Sequence, residues 1–253
     1  MTAINHDDTG HAQSDGVPVV FLSGMLADQR MWHRALDSYA GLERPGKVAV
    51  NPGFYELFDQ ETVSDMATQV LANAPARFAL VGMSMGGYVA FDILRRASNR
   101  VTHLMLVNTR ATADSDAVKR RRILLAKIAG RATPFQGIND AVLDDMVHPA
   151  NRSDEELIAL LGTMAEQAGA SVFMRQSMAV ANRPDSVEFL PHINVPTAVM
   201  VGETDKVITP ESHREMAAAI PGASYAEVAG AAHYVPMEQP GIFAQSLADL
   251  LTR

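Results

Sequence analysis

The stretch Phe78-Ala-Leu-Val-Gly-Met-Ser-Met-Gly-Gly87 decides the fold of this chain and points to its chemistry. Its apolar beginning predicts a buried strand, and the amphipathic run that follows, residues 88–97, predicts a helix. Between them, Gly82-Met-Ser-Met-Gly86 is a G-x-S-x-G pattern, which is typical of a sharp strand-to-helix turn with the serine at its tip. Such a turn would hold the Ser84 hydroxyl clear of the sheet, beside the N-terminal amides of the helix.

Strand and helix patterns alternate on both sides of this turn. Besides the strand at residues 78–81, apolar runs predict strands at residues 17–22, 47–51, 102–108, 197–201 and 224–228. Amphipathic helical runs lie between most of them, which implies right-handed crossovers and a mainly parallel sheet. The predicted fold class is therefore α/β, with a mostly parallel central sheet flanked by helices.

A purely helical block interrupts the alternation between residues 110 and 191. Its four helical patterns cover residues 117–129, 139–147, 153–167 and 171–181. The simplest arrangement is a helical cap over the ends of the strands, inserted into a core made of residues 17–109 and 192–253. Residues 1–16 are polar and predict a flexible N-terminal segment.

Composition narrows the classes of function. The net charge of −8 argues against a nucleic-acid partner, and the basic run at residues 119–122 reads as a solvated helix face. The chain has no cysteine, and its eight histidines are scattered without a ligand motif, so no metal site is expected. With no signal peptide and no predicted bilayer span, we expect a cytoplasmic protein without a membrane partner, either a monomer or a homodimer.

Two loops after later strands supply partners for Ser84. Serine is a weak nucleophile at neutral pH and needs a base, which in turn needs an acid to orient it. Functional groups gather beyond the carboxyl ends of parallel strands, where Asp205 and His233 follow the last two predicted strands. We therefore interpret Ser84, His233 and Asp205 as nucleophile, base and orienting acid, with Glu203 as an alternative acid.

An oxyanion formed at Ser84 would need two backbone donors. Met85, which directly follows the serine, is the first candidate. The turn Ser23-Gly24-Met25 after the first strand is the expected source of the second, with Met25 as the candidate residue. A glycine in this turn would permit a close approach of the backbone.

Together these motifs make the chain similar to the α/β hydrolases, the superfamily of lipases, esterases and lactonases. The resemblance spans residues 17–253 and rests on the serine turn, Ser23-Gly24-Met25, Gly202-x-x-Asp205, and His233 followed by Pro236-x-Glu238-x-Pro240. It implies a helical cap, a covalent acyl-enzyme on Ser84 and no cofactor.

Three departures from the family pattern affect these expectations. Many members carry His-Gly where this chain has Ser23-Gly24, and many have a D-x-R-G-x-G turn where this chain has Asn51-Pro-Gly-Phe54. The second difference removes part of the usual pocket rim. Because the N-terminal segment is too short and polar for the usual first hairpin, we expect about six core strands rather than eight.

The expected substrate pocket is apolar. Candidate lining residues, besides Met25 and Met85, are Trp32, Phe54, Met83, Met146, Phe173, Met174 and Met178. Methionines adapt their shape and would suit an apolar acyl or aryl group. Arginines of the helical block, including Arg110, Arg152, Arg175 and Arg183, are candidates to hold a substrate carboxylate.

Three functions are consistent with these residues. The first is hydrolysis of a carboxylic ester or lactone of a small to medium, largely apolar molecule. The second is hydrolysis of a carbon–carbon bond or an enol-lactone in a carboxylate-bearing metabolite. The third, from a different class, is ligand binding without catalysis, for which an incomplete set of catalytic residues would have been the signature. In each case the expected partner is a small molecule.

Overall fold

The computed structural model describes residues 16–131, 135 and 137–253, so the predicted N-terminal segment lies almost entirely outside the described residues. Within them, six parallel strands form one sheet in the order β2-β1-β3-β4-β5-β6. The strands are β1 (Val17–Leu22), β2 (Val50–Phe54), β3 (Phe78–Met83), β4 (Val101–Val107), β5 (Thr197–Gly202) and β6 (Ser224–Val228). The predicted α/β class and the expected number of about six strands are confirmed.

The second strand lies further along the chain than predicted. We expected residues 47–51 with a stop at Pro52-Gly53, but β2 runs from Val50 to Phe54 and includes both residues. Pro52 pairs with Val19 of β1. Proline cannot donate to a hydrogen-bonded ladder, and it is tolerated here because β2 is at the edge of the sheet.

Helices cover both faces of the sheet. The helices are α1 (His33–Ala40), α2 (Val63–Asn73), α3 (Met85–Ala97), α4 (Asp116–Ala129), α5 (Asp140–Met146), α6 (Glu155–Ala181), α7 (Pro210–Ala219), α8 (Val235–Glu238) and α9 (Pro240–Leu251). Side chains alternate between faces along a strand, so Val19 and Phe21 of β1 pack with α1 and α9, whereas Val20 and Leu22 pack with α2, α3 and α7. The core is thus two apolar layers separated by the sheet.

Helices α4, α5 and α6 lie in the chain between β4 and β5. The predicted helices at residues 153–167 and 171–181 form the single element α6, which is broken at Gly169 by non-helical backbone angles (φ 77°, ψ 176°). It begins two residues after the predicted start at residue 153, and its N-cap is Asp154, whose Oδ1 accepts a hydrogen bond from Leu157 N at 2.9 Å. Helix α6 packs along α4, so these elements form a connected helical layer.

By length and composition, α6 is apolar enough to cross a membrane, contrary to the sequence prediction. The break at Gly169 divides it into two halves, each shorter than the roughly 20 residues that a bilayer span requires. The second half also buries the polar side chains of Gln176 and Ser177. Both features are those of a helix that packs against the rest of the protein along part of its surface.

Candidate active site

Ser84 lies at the tip of a strained turn between β3 and α3. Its backbone has φ 52° and ψ −114°, a conformation that non-glycine residues rarely adopt. The turn is so tight that a Cβ on Gly86 would lie 2.1 Å from the Leu22 carbonyl oxygen, so only glycine fits there. Ser84 N donates to Val107 O at 2.9 Å, and Ser84 O accepts from Thr109 Oγ1 at 2.8 Å. Neighbouring strands therefore hold the turn in place.

The three residues predicted to work together are in hydrogen-bond contact. His233 Nε2 lies 3.0 Å from Ser84 Oγ, and His233 Nδ1 lies 2.8 Å from Asp205 Oδ2. The aspartate and histidine side chains are buried, with 0% and 1% of their surface exposed. Because a carboxylate accepts, the histidine Nδ1 carries the proton of this bond and leaves Nε2 free to accept from the serine hydroxyl.

Asp205 is held as a charged carboxylate by several donors. Its Oδ1 accepts from the backbone amides of Val207 and Ile208 at 2.8 and 2.9 Å, and its Oδ2 accepts from Asn108 Nδ2 at 2.9 Å. Burial acts to raise the pKa of Asp205, but the neighbouring His233 and these hydrogen bonds outweigh it and keep the pKa below its usual value. The group is thus an ionised acceptor at neutral pH.

Asn108 was not identified as a site residue from the sequence. It directly follows β4, has φ 47° and is fully buried. Its amide donates both to Asp205 Oδ2 and to Ala232 O, each at 2.9 Å. The local signal was an asparagine at a strand end, where this residue type tolerates positive φ, but its partners are distant in the chain.

Glu238 braces the loop that carries the histidine. Its Oε1 accepts from the amides of Ala232 and Tyr234, the two neighbours of that histidine, at 2.9 and 3.2 Å. Its Oε2 accepts from His148 N at 2.7 Å and from Asn151 Nδ2 at 2.9 Å, in the segment between α5 and α6. One buried carboxylate therefore connects the helical block to the histidine loop.

Glu203, the alternative acid, does not face the histidine of the site. Its Oε1 accepts from Gly230 N at 2.7 Å and lies 3.4 Å from His148 Nε2. The side chain is 39% exposed at the protein surface. Of the two acids in the loop after β5, it is Asp205 that contacts His233.

A second buried histidine, His213 on α7, supports the turn that carries Ser84. Its Nε2 accepts from Thr109 N at 2.8 Å, and its Nδ1 donates to Thr209 O at 3.0 Å. The Thr109 hydroxyl in turn donates to the carbonyl of Ser84. Burial lowers the pKa of His213 to about 4, so it is neutral at pH 7.

The predicted oxyanion donors lie beside the serine. Met25 and Met85 both line the cavity described below, and neither backbone amide donates a hydrogen bond to another described residue. The turn after β1 passes close to Ser84, since a Cβ on Gly24 would lie 3.3 Å from the serine Cβ. Gln176 of α6 fixes this turn through a 2.9 Å bond from Leu26 N.

A cavity of about 400 Å³ opens above Ser84 and His233. Of the predicted pocket residues, Met83, Met146 and Phe173 line it together with Met25 and Met85. Further walls come from α4 and from the loop after β5, so apolar side chains dominate its surface. The cavity thus lies between the sheet and the helical block.

Four predicted pocket residues do not line this cavity. Trp32 is fully buried, its ring lies tilted against Phe21 with the centroids 5.1 Å apart, and its Nε1 donates to Ser23 Oγ at 2.9 Å. Phe54, on edge strand β2, packs on the same Phe21 ring at 5.7 Å. The remaining two are Met174 and Met178.

Both methionines are on α6 but outside its cavity-lining face. Phe173, Ser177 and Val180 line the cavity at helical spacing, which turns Met174 and Met178 onto an adjacent face. The Met174 methyl instead packs near Gly130 at the end of α4. A sequence pattern indicates which residues are apolar, but the rotation of a helix decides which of two apolar faces meets a ligand.

The arginines are distributed differently from the prediction. Arg110 lines the cavity, whereas Arg152 pairs with Asp144, Arg175 donates to Phe58 O, and Arg183 pairs with Asp114. The run at residues 119–122 was expected to be a solvated face; Arg120 and Arg121 are exposed, and Arg121 and Arg122 also line the cavity. In the part of the chain that the structure describes, no three His, Asp or Glu side chains are grouped to hold a metal ion.

A parallel sheet with a serine at a strained turn after a central strand, and with an aspartate and a histidine after the last two strands, defines the α/β-hydrolase class. Comparison with known proteins places the chain within it. The model of the alpha/beta hydrolase family matches residues 19–246. The chain therefore belongs to the alpha/beta hydrolase family and is a hydrolase of that family.

Similar proteins include several ester-cleaving enzymes. The chain is 25% identical over 236 residues to a pimeloyl-[acyl-carrier protein] methyl ester esterase of Vibrio atlanticus, covering 83% of this chain and 85% of that protein. A thermophilic esterase from Thermogutta terrifontis, solved with malate bound, superposes with a TM-score of 0.80 at 29% identity, over 93% of this chain and 89% of the esterase. An enol-lactonase from Burkholderia xenovorans has the same fold, with a TM-score of 0.80 at 24% identity over 96% and 94% of the two chains.

Proposed function

We propose that the protein is a serine hydrolase that cleaves carboxylic esters or lactones of small to medium substrates through an acyl-enzyme on Ser84. The observation that carries this proposal is the chain of contacts from Ser84 Oγ to His233 Nε2 at 3.0 Å and from His233 Nδ1 to Asp205 Oδ2 at 2.8 Å. A hydroxyl, a base and an orienting acid in this geometry support nucleophilic catalysis.

The proposed reaction has two halves. His233 accepts the Ser84 proton as the hydroxyl oxygen attacks the ester carbonyl, and it then donates that proton to the departing alcohol oxygen. In the second half a water molecule loses its proton to His233 and attacks the acyl carbon, and the proton returns to Ser84. The negative charge of each tetrahedral intermediate faces the amides of Met25 and Met85. Asp205 stabilises the positive charge that His233 carries between transfers.

The character of the cavity supports an ester with an apolar portion. Methionines at positions 25, 83, 85 and 146 contribute adaptable apolar surface next to the serine. The esterase from Thermogutta terrifontis and the methyl ester esterase of Vibrio atlanticus are consistent with ester hydrolysis on this fold. These likenesses support the bond type and leave the acid and alcohol portions of the substrate to experiment.

A second candidate is an enol-lactonase or carbon–carbon bond hydrolase that acts on a carboxylate-bearing metabolite. Arg110, Arg121 and Arg122 on the cavity wall favour an acidic substrate, and the enol-lactonase from Burkholderia xenovorans shares the fold. The attack by Ser84 would be the same in a lactone. Cleavage of a carbon–carbon bond would instead require His233 to protonate a carbon leaving group.

The test is turnover of a panel of esters, lactones, thioesters and 1,3-diketone acids by the purified protein and by Ser84→Ala. We expect ester or lactone turnover that falls by at least about a thousandfold in Ser84→Ala. The matched control is Ser98→Ala, an exposed serine at the far end of α3. Undiminished turnover in Ser84→Ala would overturn the proposal, and tight binding without turnover across the panel would favour the non-catalytic alternative.

A further inference from the structure

The charges on the cavity wall have one sign. Besides His233, the charged residues that line the cavity are Arg110, Arg121 and Arg122, and no aspartate or glutamate of the described residues lines it. The chain as a whole is acidic, with 29 Asp and Glu against 21 Lys and Arg. The positive charge of the cavity wall is thus opposite in sign to the net charge of the protein, and this difference needs a specific explanation.

The carboxylate behind this wall does not balance it. Asp114 is fully buried and pairs with Arg110, with Arg122 at 2.9 Å and with Arg183 at 2.8 Å. Arg183 is itself buried, with 1% of its side chain exposed, and it fits Asp114 as a complete buried ion pair. The two cavity-lining arginines that share the same carboxylate therefore add positive charge in excess.

Guanidinium donors remain available on the wall. Arg110 lines the cavity and pairs with Asp114 through Nη2, and its Nη1 has no hydrogen-bond partner among the described residues. Arg121, on α4, lines the cavity and forms no ion pair or hydrogen bond with another described residue. Guanidinium N–H groups that have no protein partner can donate to a carboxylate of a ligand.

We propose that this arginine wall, formed by Arg110, Arg121 and Arg122, binds an anionic carboxylate of the substrate. The substrates are then esters or lactones whose acyl portion carries a second carboxylate, such as the monoesters of dicarboxylic acids. Guanidinium groups hold a carboxylate through paired hydrogen bonds, and the apolar surface between wall and serine accommodates the chain that joins the two ends. This inference rests on the proposed function of Ser84 and specifies its substrate class.

The experiment compares matched anionic and neutral esters. Phenyl monoesters of succinate, glutarate and adipate are assayed against the same molecules with the free carboxyl methylated. Wild-type protein gives kcat/KM for each pair, and the Ser84→Ala protein gives the binding affinity of each pair by titration calorimetry without turnover. Calorimetry is therefore informative even if no ester is hydrolysed.

We expect the anionic member of at least one pair to be preferred about tenfold or more in both measurements, and the preference to weaken at high salt. Arg121→Gln should reduce this ratio about tenfold, and Arg110→Gln should do the same where the protein still folds. The control is Arg120→Gln, which removes the same charge from a position of the same helix that does not line the cavity and should leave the ratio unchanged.

The results separate the two proposals. Equal or better binding and turnover of the methylated esters, or an equal loss of the ratio in Arg120→Gln and Arg121→Gln, would overturn the inference while leaving serine hydrolysis intact. A calorimetric preference for the anion in a protein that hydrolyses none of the esters would support the arginine wall and count against the proposed function.

Discussion

His213 makes the stability of the protein sensitive to mild acid. Its ring is fully buried behind the turn that carries Ser84, where it accepts a hydrogen bond from Thr109 N and donates one to Thr209 O. Burial lowers the pKa of His213 to about 4. In the unfolded chain the same histidine titrates near its ordinary value of about 6.5. As the pH falls through about 6.5, this histidine therefore binds a proton in the unfolded state but not in the folded state. The free energy of unfolding declines as a result until the pH reaches about 4.

The size of the effect follows from the two pKa values. Each unit of difference corresponds to about 1.4 kcal/mol, so the full loss over this range is about 3 kcal/mol. Between about pH 7.5 and about pH 5, where most carboxylates stay ionised, His213 alone should lower the free energy of unfolding by about 2 kcal/mol. This is a large fraction of the total for an ordinary domain.

The assay is urea unfolding at both pH values, followed by the fluorescence of the single tryptophan, Trp32, which is fully buried. In His213→Gln the position no longer titrates, so we expect the loss between the two pH values to shrink by about 2 kcal/mol relative to wild type, whatever the absolute stability of the variant. His192→Gln, at an exposed site, is the control. The same pH dependence in wild type and His213→Gln would refute the reasoning.

Two further predictions concern groups that position the site. Asn108→Asp replaces the amide that donates to Asp205 Oδ2 with a second carboxylate. We therefore expect kcat for a test ester to fall at least about tenfold and the free energy of unfolding to fall by about 1–3 kcal/mol. Activity of Asn108→Asp equal to that of wild type would contradict this role. Glu238→Gln places an NH2 donor against two of the four N–H groups that the carboxylate accepts from. Urea unfolding should show a loss of about 2 kcal/mol together with a lower kcat. The more exposed Glu203→Gln should cost less than about 1 kcal/mol, and equal losses in these two variants would contradict the role of Glu238.

The parts of the fold that follow from local patterns were predictable. The boundaries of β1, β6 and α9 match the apolar and Pro–Gly signals in the sequence, and the glycines around Ser84 predicted a turn that only glycine permits. The edge strand β2 was displaced because proline normally interrupts a strand, and its tolerance depends on a place at the sheet edge that local sequence does not show.

Residues whose importance comes from tertiary contacts were not predictable in the same way. Asn108 and Glu238 form hydrogen bonds with residues in distant segments of the chain. In the sequence, nothing distinguishes His213 from the other seven histidines. Met174 and Met178 are apolar like the residues that line the cavity, and only the rotation of α6 about its axis turns them away from it. Arg110 was a candidate from the sequence, but Arg121 and Arg122 were not expected at the cavity because a basic run on a helix is typical of a solvated face.

The central claim, that Ser84 is the nucleophile of an acyl-enzyme, is tested most directly by mass spectrometry of the labelled protein. A fluorophosphonate probe is applied to wild type, Ser84→Ala and Ser98→Ala, and the modified peptide is sequenced. This claim predicts one adduct, on Ser84, in wild type and Ser98→Ala, and none in Ser84→Ala, with loss of ester turnover in step with labelling. An adduct on another residue that abolishes turnover, or full turnover by protein labelled completely at Ser84, would contradict it.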